Sequence, residues 1–314
     1  QLGQTINTGL AGVYTLNMTT MTGCPGPTLT YTLIAYPKPN SNFTPTQSTA
    51  CSPNFTFTNT STISVGYIAN SLWGFGDGFT SSTMHPNHNY LSLGNYSVSL
   101  ISTSNMGCID TTIIPVSIQP APIPSFTLNT VCLNNTTTFT NTSSLSSGTI
   151  SSYNWQFGDG TSSASPSPSH IYSSSGSYNA SLTVTSLAGC SQTYTQVAII
   201  NPLPNVSLSV TSNCLGSATS YTNLSSISSG TITHYLWDYN FDGTIDNTSL
   251  NGSNTFLTAG NYTTQLTVIS NFNCSATQLV GVTVYPNPVA SFTTHTVCFG
   301  QGTLFTNAST ISSG

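Results

Sequence analysis

The sequence predicts an all-β protein built from tandem antiparallel β-sandwiches that are arranged as a rod. Three observations predict this fold. The chain is rich in β-branched, aromatic and small hydroxyl residues, which favour strands and turns over helices. Its motifs recur with a period of about 82 residues, and turn residues divide each period into roughly seven short segments.

Charge is nearly absent from the chain. Among 314 residues the only basic residue is Lys38, and the six acidic residues are all aspartates. A chain that is 2% charged has no basic patch to neutralise phosphates, so neither nucleic-acid binding nor docking on anionic membranes is expected. No apolar run approaches the roughly 18 residues that a membrane span needs, so no membrane insertion is expected in this fragment.

Three evenly spaced tryptophans, Trp73, Trp155 and Trp237, mark the repeats. Triplets of the form G-x-Y and segments resembling FTNTS keep the same step. Because the chain begins and ends inside a repeat, we interpret it as a fragment of a longer array. The predicted domains are 1–37 (C-terminal part of a repeat), 38–120 (repeat 1), 121–203 (repeat 2), 204–287 (repeat 3) and 288–314 (N-terminal part of a further repeat).

Period-two alternation identifies the strands within a repeat. In repeat 2 the alternate residues Tyr178, Ala180, Leu182 and Val184 are predicted to share one buried face. About 80 residues of short strands between glycine-containing turns indicate a two-sheet antiparallel sandwich. Proline-bearing joints should be stiff, because proline restricts both itself and the preceding residue.

Two spaced motifs carry a family resemblance. The hexapeptides WGFGDG (73–78) and WQFGDG (155–160) are each followed by P-x-H and then by G-x-Y-x-[VA]-x-L. The combination resembles the PKD domain, an immunoglobulin-like sandwich. The added cysteines and proline joints are similar to tandem PKD repeats of large surface proteins of Bacteroidota. Repeat 3 departs from the pattern, since it has WDYNFDG and places Asn254 near the position of the histidine.

The motif residues have structural interpretations. The tryptophans and the aromatic residues two positions later are expected in the core. The aspartate of each G-D-G turn is expected to accept N–H groups of its own turn, and the nearby histidines are expected to bond locally. The tyrosines of the G-x-Y triplets hold the place of a tyrosine corner. The structural residues so predicted are Trp73, Trp155, Trp237, Asp77, Asp159, Tyr96, Tyr178 and Tyr262.

Catalysis is not expected from these residues. A hydrolase needs a nucleophile with a base, paired carboxylates or a metal with an open position. The histidines recur at motif positions or stand alone, repeat 1 offers only Asp77 with Asp110, and repeat 2 offers Asp159 alone. We therefore predict that the fragment is not an enzyme.

One loop of repeat 3 is the candidate cation site. Oxygen-bearing residues occupy alternate positions there, and Gly243 permits a sharp turn, which matches the start of a D-x-[DN]-x-D-G calcium loop. The predicted calcium ligands are Asp238, Asn240, Asp242, Thr244 and Asp246. The twelfth position is Ser249 instead of glutamate, so the alternative is a G-D-G turn lengthened by one residue before Asp242, with Asp246 as a cap.

The eight cysteines fall into two series without the pairing of a zinc site, so disulfides and an oxidising compartment are predicted. The first series precedes the FTN segments: Cys51, Cys132, Cys214 and Cys298. The second series follows the G-x-Y segments: Cys24, Cys108, Cys190 and Cys274.

Strand direction decides which cysteines can pair. In an immunoglobulin-like sandwich the second and sixth strands run parallel, so Cys132 and Cys190 should lie at opposite ends of repeat 2, over about 20 Å apart. Tandem stacking instead lets a first-series cysteine reach the second-series cysteine of the next repeat. The predicted disulfides are Cys51–Cys190 and Cys132–Cys274, and Cys24, Cys108, Cys214 and Cys298 then need partners outside the fragment or stay free.

These observations predict a non-catalytic extracellular structural array at the cell surface, the stalk or filament of a giant adhesin-like protein. Its expected partners are other repeats of the same chain, further copies in a fibre and surface glycans. One alternative is a set of accessory modules of a secreted polysaccharide- or protein-degrading enzyme. Another is carbohydrate binding by exposed tyrosines such as Tyr67, Tyr153 and Tyr235.

Overall fold

The structure, a computed structural model, describes residues 12–17, 19–20 and 23–311. Every regular element within these ranges is a β-strand. No helix in the described part of the chain is long and apolar enough to cross a membrane.

The chain forms two compact units whose boundary runs through repeat 2. The first unit holds repeat 1 together with two segments of repeat 2, Ser144–Ser152 and Val184–Gln192, which comprise two loops and the strand ends beside them. The second unit holds the rest of repeat 2, namely Pro124–Ser143, Tyr153–Thr183 and the residues from Thr193, and it includes repeat 3.

Repeat 1 is a sandwich of two antiparallel sheets, preceded by a separate two-stranded sheet. The preceding strands are β1 (Gly12–Leu16) and β2 (Leu29–Leu33). The strands of repeat 1 are β3 (Phe43–Gln47), β4 (Asn54–Asn59), β5 (Ile68–Gly74), β6 (Thr80–Ser81), β7 (Asn87–Asn89), β8 (Gly94–Ser104) and β9 (Ile109–Ile118). One sheet has the order β3-β4-β7 and the other has the order β6-β5-β8-β9.

Repeat 2 has the same succession of strands and one short addition. Its strands are β10 (Phe126–Leu128), β11 (Val131–Cys132), β12 (Thr137–Asn141), β13 (Ile150–Gln156), β14 (Ser162–Ser163), β15 (Ser169–His170), β16 (Gly176–Ser186) and β17 (Ser191–Asn201). Strands β10, β12 and β15 form one sheet, while β11 pairs with β17 and β13 pairs with β14.

Repeat 3 has two sheets with the orders β18-β20-β22 and β19-β24-β23-β21. Its strands are β18 (Leu208–Val210), β19 (Asn213–Cys214), β20 (Ala218–Asn223), β21 (Ile232–Asp238), β22 (Gly252–Thr255), β23 (Gly260–Ser270) and β24 (Ser275–Tyr285). A two-stranded sheet of β25 (Phe292–Thr294) and β26 (Phe305–Asn307) follows.

Alternation along the strands places one apolar face of each sheet in the core. Trp73 is fully buried, with its ring centroid 5.0 Å from that of Phe43 and 5.8 Å from that of Phe57 on the facing sheet. Trp237 is likewise fully buried and lies 5.5 Å from Tyr221. In β16 the predicted alternation is observed, because Ala180, Leu182 and Val184 are all fully buried and Tyr178 is half-buried.

The sequence did not predict strands β11 and β19. Each is two residues long and pairs in parallel with the last strand of its repeat, so that Cys132 lies opposite Asn201 and Cys214 lies opposite Tyr285. A strand of two residues has no alternation by which it could be recognised. Both strands end on a first-series cysteine, so the addition fixes where these thiols lie.

Candidate functional sites in the repeats and at their joints

The three tryptophans anchor the loop that follows their strand. The indole N–H of Trp73 donates to the carbonyl of Thr83 at 2.9 Å, and that of Trp155 donates to the carbonyl of Ser165 at the same distance. In repeat 3 the indole of Trp237 donates to Ser249 at 3.0 Å. Each tryptophan therefore packs its ring in the core and fixes the following loop through its indole N–H.

An aspartate and a histidine meet beside the G-D-G turn in repeats 1 and 2. Nε2 of His88 lies 2.6 Å from Oδ2 of Asp77, and the imidazole stacks on Phe75 with centroids 4.1 Å apart. The same carboxylate accepts the N–H of Phe79, as predicted for its own turn. The sequence signal was the equal spacing of aspartate and histidine in both repeats, but the pairing and the stacking became visible only in the structure.

Repeat 2 has the same aspartate–histidine pair beside its G-D-G turn. Nε2 of His170 lies 2.6 Å from Oδ2 of Asp159, and Thr161 donates to the other carboxylate oxygen through its N–H and its hydroxyl. Gly158 at φ 88° lets the turn approach the next strand, since an added Cβ would meet backbone atoms of Asn179 at 2.8 Å. The turn is thus fixed by glycine geometry and by a charged hydrogen-bond network.

Two groups near this turn have shifted pKa values. Burial alone would raise the pKa of Asp159, but hydrogen bonds from Thr161 and His170 outweigh it and lower the pKa to about 2. Burial, with a smaller effect of the Asp159 charge, raises the pKa of Tyr172 to about 12. The hydroxyl of Tyr172 is buried and donates to the carbonyl of Phe157 at 2.9 Å.

The tyrosines of the G-x-Y triplets have the hydrogen bond of a tyrosine corner. The hydroxyl of Tyr96 donates to the carbonyl of Ser92, four residues earlier, at 2.8 Å. Tyr178 and Tyr262 make the equivalent bonds to the carbonyls of Ser174 and Thr258. Each bond ties the start of a long strand, β8, β16 or β23, to the loop before it.

The acidic loop of repeat 3 uses its carboxylates to hold its own backbone. Asp238 is 3% exposed, and its two oxygens accept the N–H groups of Asp242 and Gly243 at 3.2 and 2.9 Å. Asp246 accepts the N–H of Tyr239 at 2.7 Å. Trp155 pairs with Ser163 whereas Trp237 pairs with Asn247, so the loop of repeat 3 is two residues longer in all.

Asp242 takes the place of the G-D-G aspartate. It accepts the N–H of Thr244 at 2.8 Å, and this bond, followed by that from the Asn240 amide, lowers its pKa. Asn254 lies opposite Thr219 just as His170 lies opposite Thr137, so asparagine holds the histidine position. The three aspartates do not assemble into a group that could hold a metal ion among the described residues. Calcium in repeat 3 therefore stays a prediction.

The tyrosines considered for carbohydrate binding are only partly exposed. Tyr67 is 65% exposed, but Tyr153 and Tyr235 are half-buried.

The single lysine of the chain forms an ion pair. Lys38 lies 2.5 Å from the carboxylate of Asp110. This pairing, together with the N–H that Ser41 donates, lowers the pKa of the Asp110 carboxyl. Sequence reasoning did not identify this pair, which joins the first residues of repeat 1 to strand β9.

A disulfide crosses the joint between repeats 1 and 2, within the first compact unit. Cys51 is bonded to Cys190, with Cα atoms 5.8 Å apart. Beside it the N–H of Gln119 donates to the carbonyl of Ala50 at 2.9 Å. A cleft of 330 Å³ at this joint is lined by Gln119, Pro120, Leu145, Ser147, Gly148, Thr149, Ser186, Leu187 and Ala188.

A second disulfide crosses the joint between repeats 2 and 3, within the second compact unit. Cys132 is bonded to Cys274, with Cα atoms 5.6 Å apart. Cys190 and Cys274 are fully or almost fully buried, so each bond is shielded on the side of its second-series cysteine. These two pairs are the ones that strand direction predicts.

Cys24, Cys108, Cys214 and Cys298 form no disulfide within the described residues. Three of them are exposed, and Cys108 is half-buried with its Sγ 3.7 Å from the carbonyl oxygen of Tyr36. All four belong to the same two series as the bonded cysteines.

Tandem immunoglobulin-like sandwiches with disulfides across their joints define an array of modules typical of extracellular or secreted proteins. The model of the PKD domain matches residues 36–118, 119–201 and 199–284. The chain belongs to the PKD domain family and contains three such domains in tandem.

Relatives that match include PKD-containing and immunoglobulin-like proteins. Pre-pro-metalloprotease PrtV of Vibrio cholerae is 35% identical over 103 residues, which make up 32% of this chain, and the match spans 11% of that protein's length. The crystallised PKD1 domain of PrtV is 40% identical and covers 26% of this chain and 96% of its own, with a TM-score of 0.24. The eight N-terminal Ig domains of Down Syndrome Cell Adhesion Molecule are 11% identical, covering 87% of this chain and 40% of theirs, with a TM-score of 0.48.

Proposed function

We propose that this chain is a non-catalytic, load-bearing part of an extracellular stalk or filament at the cell surface, in an adhesin-like protein. The cysteine and proline pattern favours a source among the Bacteroidota. Further copies in a fibre and surface glycans are its proposed partners.

The observation that carries the proposal is the overlap of the two disulfide loops. Cys51–Cys190 closes a loop of sequence separation 139, and Cys132–Cys274 closes one of separation 142 that begins inside the first. When residues 51 and 274 are pulled apart, the force passes through the Cys51–Cys190 bond, the backbone segment from Cys132 to Cys190, and the Cys132–Cys274 bond. The length of that shared segment therefore limits how far the two residues can separate. A chain so linked carries force across both joints even when its domains unfold.

Single-molecule stretching tests this role directly. At full unfolding the distance between residues 51 and 274 should reach about 200 Å in the oxidised protein and about 800 Å in the reduced protein, from the length of an extended residue. The same molecule pulled before and after reductant provides the control. Equal extension in both states would remove the load-bearing function.

A second candidate function rests on the match to PrtV. Because a metalloprotease contains a segment 35% identical to this chain, the repeats could instead serve as accessory modules of a secreted degradative enzyme. The whole protein, isolated from its source and assayed on casein with and without a zinc chelator, separates the two functions. Chelator-sensitive proteolysis favours the accessory role, and its absence favours the stalk.

A further inference from the structure

One side of strand β17 in repeat 2 is open over most of its length. Within the described residues β17 has two neighbours, β16 along one side and the two-residue strand β11 at the end of the other. Strand β11 pairs only with Ile200 and Asn201. Residues 193–198 therefore form a free edge, whose backbone groups pair with no further strand of the part of the chain that the structure describes.

Alternate residues of β17 point their N–H and carbonyl groups to this free edge. On the side of β11, the carbonyl of Asn201 accepts the N–H of Leu133 at 2.8 Å. Because the backbone groups of a strand alternate in direction from one residue to the next, Thr193, Thr195 and Val197 face the same side as Asn201. The side chains of these three residues are exposed and β-branched, which favours strand pairing.

The corresponding edge of repeat 1 has two features that hinder strand pairing. Strand β9 contains Pro115, which lies opposite Ser97 on β8. A proline in a paired strand turns its nitrogen, which carries no hydrogen, to the unpaired side. The second residue of the same strand is Asp110, and the side chain of its partner Lys38 is 65% exposed. Prolines and charges of this kind protect free edges from pairing with other chains.

Repeat 3 has glycine where repeat 1 has this proline. Gly281 lies opposite Thr263, the fourth residue of β23, just as the proline of β9 lies opposite the fourth residue of β8. Strands β11 and β19 pair with Ile200 and Val284, so the counterpart of Gly281 in repeat 2 is Val197. Glycine weakens a strand, because it has no side chain to pack. Strand β17 contains no proline, no glycine and no charge, so its edge is the best suited of the three to pairing.

We propose that the free edge of β17 pairs with the same edge of a second copy of this chain, antiparallel about a two-fold axis. The inference rests on the proposed stalk function and specifies the surface through which further copies associate. The pairing would join two sheets into one continuous sheet across the two copies.

Two observations favour a second copy as the partner. The edge already accepts an added strand at its end, since β11 pairs there in parallel, so a further strand continues an existing arrangement. Two copies also meet without repulsion at this edge, because β17 is uncharged and only 2% of the chain is charged. About a two-fold axis each edge offers the donors and acceptors that the other needs.

Concentration-dependent association tests the proposal. Free thiols are first alkylated with iodoacetamide in the absence of reductant, so that no new disulfide can join two copies. In sedimentation equilibrium the apparent mass should rise with concentration to twice that of the monomer and no further. Amide hydrogen exchange at Thr195 and Val197 should slow over the same concentrations, because their N–H groups become paired. A monomer at every concentration, or aggregates larger than a dimer, would overturn the proposal.

Matched substitutions locate the contact. Val197→Pro gives repeat 2 the residue that repeat 1 already has at this position, so the fold should persist while the edge loses an N–H and the protein stays monomeric. Thr193→Lys should also abolish the dimer, because two lysines would meet at the edge. Thr277→Lys is the control, since Thr277 bonds the hydroxyl of Thr267 at 3.0 Å just as Thr193 bonds that of Thr183 at 2.8 Å.

The control variant should dimerise like the unmodified protein. Near-ultraviolet circular dichroism checks that each variant is folded, and the lysine variant carries the test if the proline variant is not. Dimers that survive Thr193→Lys, or that Thr277→Lys abolishes equally, would contradict the pairing. The stretching experiment is made on single molecules and depends on the two disulfides, so a failure of this association is distinguishable from a failure of the stalk function.

Discussion

Nε2 of His170 lies 2.6 Å from Oδ2 of Asp159, and the imidazole stacks on Phe157 with ring centroids 4.4 Å apart. The side chains of this pair are only 16% and 17% exposed. The turn after the core strand is therefore held by a shielded charged hydrogen bond, and the histidine also covers the edge of the aromatic core.

Replacing His170 by asparagine, the residue of repeat 3, should destabilise repeat 2. The change removes a hydrogen bond to a charged group and an aromatic stack, so a loss of about 1–3 kcal/mol in the free energy of unfolding is expected. Urea unfolding measures it. His234→Asn is the matched control, because that histidine is exposed and its ring bonds the hydroxyl of the neighbouring Thr233; equal losses in both variants would refute a special role for His170.

Acid should weaken repeat 2 in a defined window. Because the pKa of Asp159 is lowered to about 2 in the fold, its contribution is present above the unfolded value of about 4 and is lost as pH falls towards 2. Melting temperatures recorded from pH 5 to pH 2 should drop within that interval. In Asp159→Asn the drop should become shallower, and an unchanged acid profile would contradict the assignment.

Alkaline pH should destabilise repeat 2 by ionising Tyr172. Burial raises its pKa to about 12, so the neutral hydroxyl stabilises the fold fully below the unfolded value of about 10 and the contribution disappears as pH rises through 12. Tyr172→Phe should cost about 1–2 kcal/mol at neutral pH, since the carbonyl of Phe157 loses its donor. The variant should also lose less stability between pH 10 and 12, as chemical unfolding at each pH would show.

Thr137→Val should stabilise the protein. The hydroxyl of Thr137 is fully buried and has no hydrogen-bond partner within the described residues. Valine has nearly the same shape without the polar atom, so the free energy of unfolding should rise by about 1 kcal/mol. Thr140→Val, at an exposed position of the same strand, should change it by less than about 0.5 kcal/mol. Destabilisation by Thr137→Val would point to a bound water.

Substitutions in the acidic loop of repeat 3 test whether it binds calcium. Asp238→Ala should cost about 1–3 kcal/mol, because two N–H groups lose their buried acceptor, while Gln156→Ala at the equivalent exposed position of repeat 2 should cost little. Calcium binding would raise the melting temperature of repeat 3 relative to chelator-treated protein, and Asp242→Asn would abolish the rise. An unchanged melting temperature leaves a loop held by its own N–H donors.

The features that could be predicted from the sequence are those that depend on regular spacing. The tryptophan step located the three repeats, alternation located Leu182 on the buried face, and the direction of the strands selected Cys132–Cys274 over Cys132–Cys190. Sequence reasoning missed strand β11, which is too short to show a period. It also could not establish that Asp159 meets His170, because the spacing of a turn residue and a residue on strand β15 does not determine where their side chains point.

The sequence by itself determined the all-β class, the repeat and the two cysteine series, because these follow from local patterns that the chain carries along its length. The tertiary structure alone decided that Asp238 and Asp246 hold backbone N–H groups, and that the buried hydroxyl of Thr137 has no hydrogen-bond partner in the part of the chain that the structure describes. The physical reason is that such properties depend on which groups distant segments bring within hydrogen-bond or bonding distance.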